Sequence, residues 1–231
     1  MTALLETRGL SRSFGGLKAV SNVDFLLQTG EVRAVIGPNG AGKTTFVNLV
    51  CGRIAPSAGT IVFAGEDITR LPDFKRVRLG IAYTFQITSV YANLTVAQNV
   101  ALAARGRGSR GGLAELERVG LADRAGQIAG ALAYGHQRLL EVAMGLALKP
   151  RLLILDEPTQ GLSDAEIANF ADLVRGLSGA ATVLLIEHNM PVVMDLAHRI
   201  TVFDRGSVLA EGTPAEIRAN AAVQAAYLGS G

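Results

Sequence analysis

VRAVIGPNGAGKTTFVNLV (residues 32–50) passes from an apolar, β-branched run through a glycine-rich turn into a helical pattern. Within it, GPNGAGKT (residues 37–44) has the spacing G-x-x-x-x-G-K-[ST], directly after a predicted strand and opening a predicted helix. Each residue type in that spacing has a physical task. The glycines among Gly37, Pro38, Asn39, Gly40, Ala41 and Gly42 let the backbone turn tightly, so that successive amides and the helix N-terminus at Thr44 and Thr45 face phosphate groups. Lys43 reaches the β- and γ-phosphates of a nucleotide, and the Thr44 hydroxyl ligates Mg²⁺.

Apolar runs of the same kind recur at LLILDE (residues 152–157), TVLLIEH (182–188) and ITVFDRG (200–206), and such runs read as strands of a parallel sheet buried on both faces. The helical patterns between them have clear starts. Ser163 with Glu166 and Thr213 with Glu216 match the capping box, and Thr95 with Gln98 matches its glutamine form. Ile167, Phe170, Val174 and Leu177 then recur at helical spacing, and the alternation predicts an α/β fold with helices packed on a largely parallel sheet.

Two regions depart from that plan. Residues 3–31 with 59–68 read as glycine-punctuated strands, which predicts a small antiparallel sheet beside the core. From about residue 87 to 149 the pattern is helical, broken only by RGRGSRGG (105–112), which reads as a flexible loop. This stretch separates two core strands. The expectation is therefore one domain, residues 1–231, with a core and antiparallel sheet from residues 1–86 and 150–231 and a helical lobe, 87–149, inserted into it.

Composition bounds the function. With 231 residues, 49% of them hydrophobic, the chain makes one well-buried core, with or without an inserted lobe. A net charge of only +2, and a glycine-arginine run with no interleaved aromatic, speak against a nucleic-acid partner. The single cysteine, Cys51, excludes an intramolecular disulfide or a cysteine metal cluster and fits a reducing compartment. The N-terminal MTALLETRGL does not read as a signal peptide and no window is apolar enough to span a membrane, so a cytoplasmic location is expected.

The run LLILD ends in two adjacent carboxylates, Asp156 and Glu157. Side chains alternate along a strand, so the two should point apart, one towards the Mg²⁺ shell and one towards an attacking water. With these motifs in this order the chain resembles, over essentially its whole length, the ATP-binding-cassette ATPases that drive ABC transporters. The resemblance implies a P-loop NTPase (RecA-like) core with a flanking antiparallel β subdomain and an inserted α-helical subdomain. Phe14, in SRSFGG, stands where the family stacks an aromatic on adenine. Gln86, in TFQIT, matches the glutamine at the core-to-lobe junction, and His188, in LLIEHN, matches the switch histidine that contacts the γ-phosphate. Carried over to this chain, the catalytic residues are Glu157, His188, Lys43 and Gln86, and the metal ligands are Thr44, Gln86 and Asp156.

LAYGHQ (Leu132, Ala133, Tyr134, Gly135, His136, Gln137) resembles the family signature LSGGQ, a helix N-terminus that faces the ATP on the phosphate loop of a second subunit. Free amides and a positive dipole end suit that task. GLSD (161–164) matches the loop that links the two half-sites, with Asp164 in the acidic position. Ala133 departs from the pattern by replacing the serine that would bond the γ-phosphate, and Tyr134 by replacing a glycine. A hydrogen bond lost to a charged group costs about 1.5–3 kcal/mol, so weakened rather than absent turnover is expected.

The tyrosine form of the signature, together with EHNMPVVMDLAHRITVFDRGSVLAEGTPAEI and the ending AAYLG, resembles the ATPases of branched-chain amino-acid importers. TFQ (84–86) is similar to the one of their two ATPases that retains glutamine there. The resemblance implies a molecule that binds and hydrolyses ATP with Mg²⁺ and pairs with a second ABC ATPase subunit, identical or paralogous. It implies a peripheral position on the inner face of the cell membrane, against transmembrane permease subunits served by a periplasmic or extracellular solute-binding protein. A soluble non-transport ABC ATPase, and an ATP-dependent clamp with weak hydrolysis, are the alternatives.

Overall fold

The computed structural model describes residues 2–84, 89–105, 112–177 and 181–228. The chain runs β1 (Ala3–Phe14), β2 (Leu17–Gln28), β3 (Val32–Ile36), α1 (Lys43–Cys51), β4 (Ala58–Phe63), β5 (Glu66–Asp67), α2 (Asp73–Leu79) and β6 (Ile81–Tyr83). It continues through α3 (Val96–Arg105), α4 (Leu113–Arg118), two 3₁₀ turns (Ala122–Arg124 and Ala129–Ala131), α5 (Tyr134–Ala147), β7 (Leu152–Asp156) and α6 (Asp164–Leu177). The last elements are β8 (Thr182–Ile186), α7 (Met190–Leu196), β9 (Arg199–Asp204), β10 (Ser207–Gly212), α8 (Pro214–Ala219) and α9 (Ala221–Leu228). They form two compact units, Met1–Leu79 with Leu184–Gly231, and Gly80–Val183.

In the first unit the glycine-punctuated segments form the expected antiparallel sheet, in the order β2-β1-β4-β5. The core strands follow the order β10-β9-β3-β8, with β3 parallel to β9 (Ala34 opposite Ile200, Ile36 opposite Val202) and β10 turned antiparallel onto β9. Every residue of β3 is buried, Arg33 included. Its guanidinium is compensated by Glu31 at 2.6 Å and Glu211 at 2.9 Å and donates to the Thr201 hydroxyl and the Leu26 carbonyl, so the strand carries a charge through the core at little net cost.

Helix α1 is locked at both ends of its buried face. Phe46 sits edge-on to Phe25 of β2 at 5.1 Å and tilted on Phe203 of β9 at 5.2 Å, so one ring joins the helix to both sheets. At the other end Arg76 of α2, 1% exposed, donates to the carbonyls of Leu49 and Val50 and satisfies the helix C-terminus from inside the protein. Helices α7, α8 and α9 contribute Val193, Ile217 and Val223 to a cluster with Ala34, Ile36, Ile200 and Val202 of the sheet. The Thr213–Glu216 capping box opens α8 as expected.

In the second unit β6 and β7 are neighbours and run parallel, Ile81 opposite Leu152 and Tyr83 opposite Ile154. Helix α5 packs on α3, α4 and these strands, and Gly145 lets it approach: a Cβ there would lie 3.1 Å from Leu153 Cδ1. The capping pairs Thr95–Gln98 and Ser163–Glu166 both form, and Phe170, Val174 and Leu177 of α6 are buried. Among the described residues no helix is long and apolar enough to cross a membrane.

Because Phe46 holds α1 against both sheets of the first unit, Phe46→Ala is expected to cost about 3–5 kcal/mol of stability. Urea denaturation followed by circular dichroism measures it, and a loss under about 1 kcal/mol would show that the helix is held elsewhere.

Candidate functional site

In the first unit, residues 37–44 form a loop in which two glycines are required by space. A Cβ on Gly37 would run into the carbonyl oxygen of Phe203, and one on Gly42 into that of Ala19. Both residues have positive φ, 149° and 100°, as does Gly40 at 78°. The loop is tied at its middle, where the Ala41 carbonyl accepts from the Gly206 amide at 2.9 Å and the Ala41 amide donates to Pro38 O at 3.2 Å. Helix α1 opens at Lys43 with no side-chain cap and no acid in its first turn, an end whose amides and dipole suit an anion.

The Lys43 ammonium is held over this loop by the carbonyls of Gly37, at 2.6 Å, and Pro38, at 2.9 Å. Asn39, Gly40 and Thr44 are exposed, and Thr45 is half-buried. A concavity of about 310 Å³ beside the loop is lined by residues 38–41, by Asp204 and Arg205 at the end of β9, and by Ala225 and Ala226 of α9. Phe14 exposes 46% of its surface at the end of β1, and the Arg12 guanidinium lies 4.6 Å from its ring centre. A ring backed by a cation on one face still offers the other to a base. His188 is exposed just beyond β8, and the buried Glu187 carboxylate accepts from the amides of His188 and Asn189, which holds the backbone bearing the imidazole.

In the second unit, Asp156 ends β7 buried, with its Oδ2 accepting from the Tyr83 hydroxyl at 2.8 Å. Glu157 leaves the strand at φ 50°, a sparsely populated conformation for a residue with a Cβ. Helix α5 begins with Ala133 exposed at its N-cap and no side-chain cap, while Leu132 is buried and accepts from Gln137 Nε2 at 3.0 Å. Gly135 presses on the loop after Glu157, where a Cβ would lie 2.7 Å from Gly161 O.

Tyr134 covers Gly161, and its hydroxyl stands 3.3 Å from Gln160 Oε1 and accepts from Arg138 at 3.0 Å. His136 Nε2 meets Glu166 at 2.9 Å. The Ser163 amide and hydroxyl, and then His136, hold the Glu166 carboxyl below its ordinary range. Tyr134 and His136 thus bond to Gln160 and Glu166, and the start of α5 carries no side-chain cap. Asp164, exposed, is the first residue of α6.

The candidate residues divide between the units: Phe14, residues 37–45 and His188 in the first, residues 132–137, Asp156, Glu157 and Asp164 in the second. Gln86 lies outside the described residues. Four residues of the second unit were not singled out from the sequence: Tyr83, Gln160, Arg138 and Glu141. The last two carried a signal, since an arginine and a glutamate three apart interrupt the buried stripe of α5. Burial drives the Glu141 carboxyl above its ordinary range, against the Ser89 amide and Arg138, which pull it down.

Residues 20–160 match the ABC transporter family, and residues 207–231 match a family described as branched-chain amino acid ATP-binding cassette transporter. The chain is 39% identical to the high-affinity branched-chain amino acid transport ATP-binding proteins BraF of Pseudomonas aeruginosa and LivG of Escherichia coli, over 98% of its length and of theirs. The probable branched-chain amino acid transport ATP-binding protein LivG of Archaeoglobus fulgidus is 36% identical, over 98% of this chain and 96% of its own. Among solved structures, the ATP-binding cassette MJ1267 of an ABC transporter superposes with a TM-score of 0.90 at 25% identity, over 98% of this chain and 99% of that one. Its ADP conformation gives 0.89 at 25% identity, over 99% and 100%. The chain belongs to the ABC transporter family as an ATP-binding subunit: a nucleotide-binding ATPase of the P-loop fold.

The raised Glu141 carboxyl has a pH consequence. The folded chain binds this proton more tightly than the unfolded one, so the associated stability is complete below the ordinary value of 4.5 and is lost as pH rises through the raised value. Glu141→Gln is expected to flatten that part of the stability curve, read from urea midpoints between about pH 4 and pH 8. An unchanged slope would place the titration on another group.

Proposed function

We propose that this chain is the ATP-hydrolysing motor of an importer for branched-chain amino acids or related small polar solutes. What carries the reading is likeness along the whole chain: 39% identity to BraF and LivG over 98% of the length, with the phosphate loop near one end and the match over residues 207–231 at the other. The partners are a second ABC ATPase, identical or paralogous, and transmembrane permease subunits on the inner face of the membrane. A solute-binding protein outside acts only through them, and nucleic acid has no part.

In this mechanism the amides of residues 37–45 and the Lys43 ammonium bind the β- and γ-phosphates, and the Phe14 ring stacks on adenine. Thr44, Asp156 and Gln86 offer oxygen donors of the kind Mg²⁺ prefers, and the ion would neutralise charge on the phosphates. Glu157 polarises the attacking water, with His188 and Lys43 stabilising charge on the transferring phosphoryl group and the Tyr83 hydroxyl orienting Asp156. The amides at the start of α5 in the second subunit complete the site, with Asp164 in the loop that joins the two sites. Ala133 removes one donor and leaves those amides, so turnover is lowered and not lost.

Residues 1–86 and 150–231 then act as the catalytic core, and residues 87–149 as the lobe that carries the signature and receives the permease. Support for docking on residues 87–94 is the exposed Tyr91, 54% accessible, on a turn held by the fully buried Asn99. The Asn99 side chain accepts from the Tyr91 amide at 2.7 Å and donates to the carbonyls of Tyr91 and Thr95. Such a clamped turn can bear load.

Glu157→Gln is expected to lower ATP turnover by about 10²–10⁴-fold in the assembled transporter, and to trap an ATP-bound pair of cassettes visible by light scattering. Turnover that survives this change would remove Glu157 from the mechanism. Turnover too slow to measure before it would favour a clamp with weak hydrolysis, the reading that Ala133 motivates. Tyr91→Arg is expected to separate ATP hydrolysis from solute uptake in proteoliposomes, and uptake that stays coupled would move the docking surface elsewhere.

A further inference from the structure

Helix α5 buries a charged pair whose bonds reach outside the helix. Arg138 and Glu141, with side chains 2% and 4% exposed, meet at 3.3 Å on a face otherwise made of Leu139, Leu140, Val142 and Ala143. A buried pair gains little over apolar groups of the same volume, so stability does not account for it. Its remaining bonds give it a different task. Glu141 Oε1 accepts from the backbone amide of Ser89, the first described residue after Gln86 and two before Tyr91. The Arg138 guanidinium donates to the Tyr134 hydroxyl at 3.0 Å, lies 3.5 Å from Gln160 Oε1 and sits 5.3 Å from the centre of the Tyr134 ring. The Gln160 amide in turn donates to the carbonyl of Glu157 at 3.2 Å.

Three segments remote in sequence are thereby held by one pair: the segment at Ser89, the signature turn at Tyr134 and the loop that follows Glu157. Bonds to charged groups are stronger and less compliant than neutral ones, so a displacement of one segment is passed on and not absorbed. We propose that Arg138 and Glu141 are positioning residues that transmit permease docking on residues 89–94 to the signature turn and, through Tyr134 and Gln160, to the loop after Glu157. The inference rests on the proposed roles of that surface and of the signature. Glu141 acts through the Ser89 backbone, and Arg138 through the Tyr134 and Gln160 side chains.

The test uses the transporter reconstituted with its permease subunits, with ATP turnover measured against ATP concentration, and the affinity of the chain for a fluorescent ATP analogue measured separately. The double variant Arg138→Met/Glu141→Leu replaces the pair by apolar groups of similar volume, and Gln160→Ala removes one arm at an exposed residue. Both are expected to keep analogue affinity and KM within about two-fold, while permease-stimulated kcat falls about ten-fold in the double variant and several-fold in Gln160→Ala. Stimulation of normal size in either folded variant would overturn the inference, as would equal losses in analogue affinity and kcat. If the double variant does not fold, the Gln160→Ala result decides alone. A wild-type transporter with no permease-stimulated hydrolysis would remove the functional reading and this inference with it, whereas normal stimulation in wild type and variants alike removes only the inference.

Discussion

In the first unit, backbone is pressed against backbone on both sides of the phosphate loop, at Gly37 against Phe203 and at Gly42 against Ala19. At these two positions the loop meets β9 and the start of β2 backbone to backbone, which holds the direction of its amides. The tie between Gly206 and Ala41, and the bond from the Ser21 amide to Gly206 O, draw the β9–β10 turn and β2 into the same arrangement. Phe46 and Arg76 keep α1 in line behind it. A loop built this way meets phosphate with little reorganisation, which is where electrostatic stabilisation of a charged transition state is worth most.

The second unit relies on a comparable close approach. Tyr134 stands where the common signature has glycine, and the bulk is accepted because Gly161, at φ 80°, leaves room for the ring. Gly135 does the converse and lets the helix start settle on the same loop. With Tyr134 and His136 bonded to Gln160 and Glu166, the turn is stiffened by its own side chains. At Ala133 the turn carries a methyl where the common signature has a hydroxyl.

Much of this was legible in order along the chain. The buried strands, the three capping pairs and the phosphate loop are local patterns, each decided by residues within a few positions of one another, and they lie where the sequence predicts. Strands β6 and β10 were harder to see. The first is three residues long, and the second alternates between half-buried and exposed positions at a sheet edge, so neither carries the apolar run that marks β3, β7 and β8.

The sequence by itself determined the family, the nucleotide chemistry and the candidate residues from Phe14 to His188, because these depend on residue type at fixed spacing. Only the tertiary structure decided which of them lean on one another. It paired Tyr83 with Asp156, Tyr134 with Gln160, His136 with Glu166, and the Arg138–Glu141 pair with Ser89. Several of these partners stand 26 to 73 positions apart, and no local pattern records a contact across such a distance. It exists only once the strands and helices have packed, since packing alone brings a hydroxyl or an amide to within hydrogen-bonding reach of a particular carboxylate.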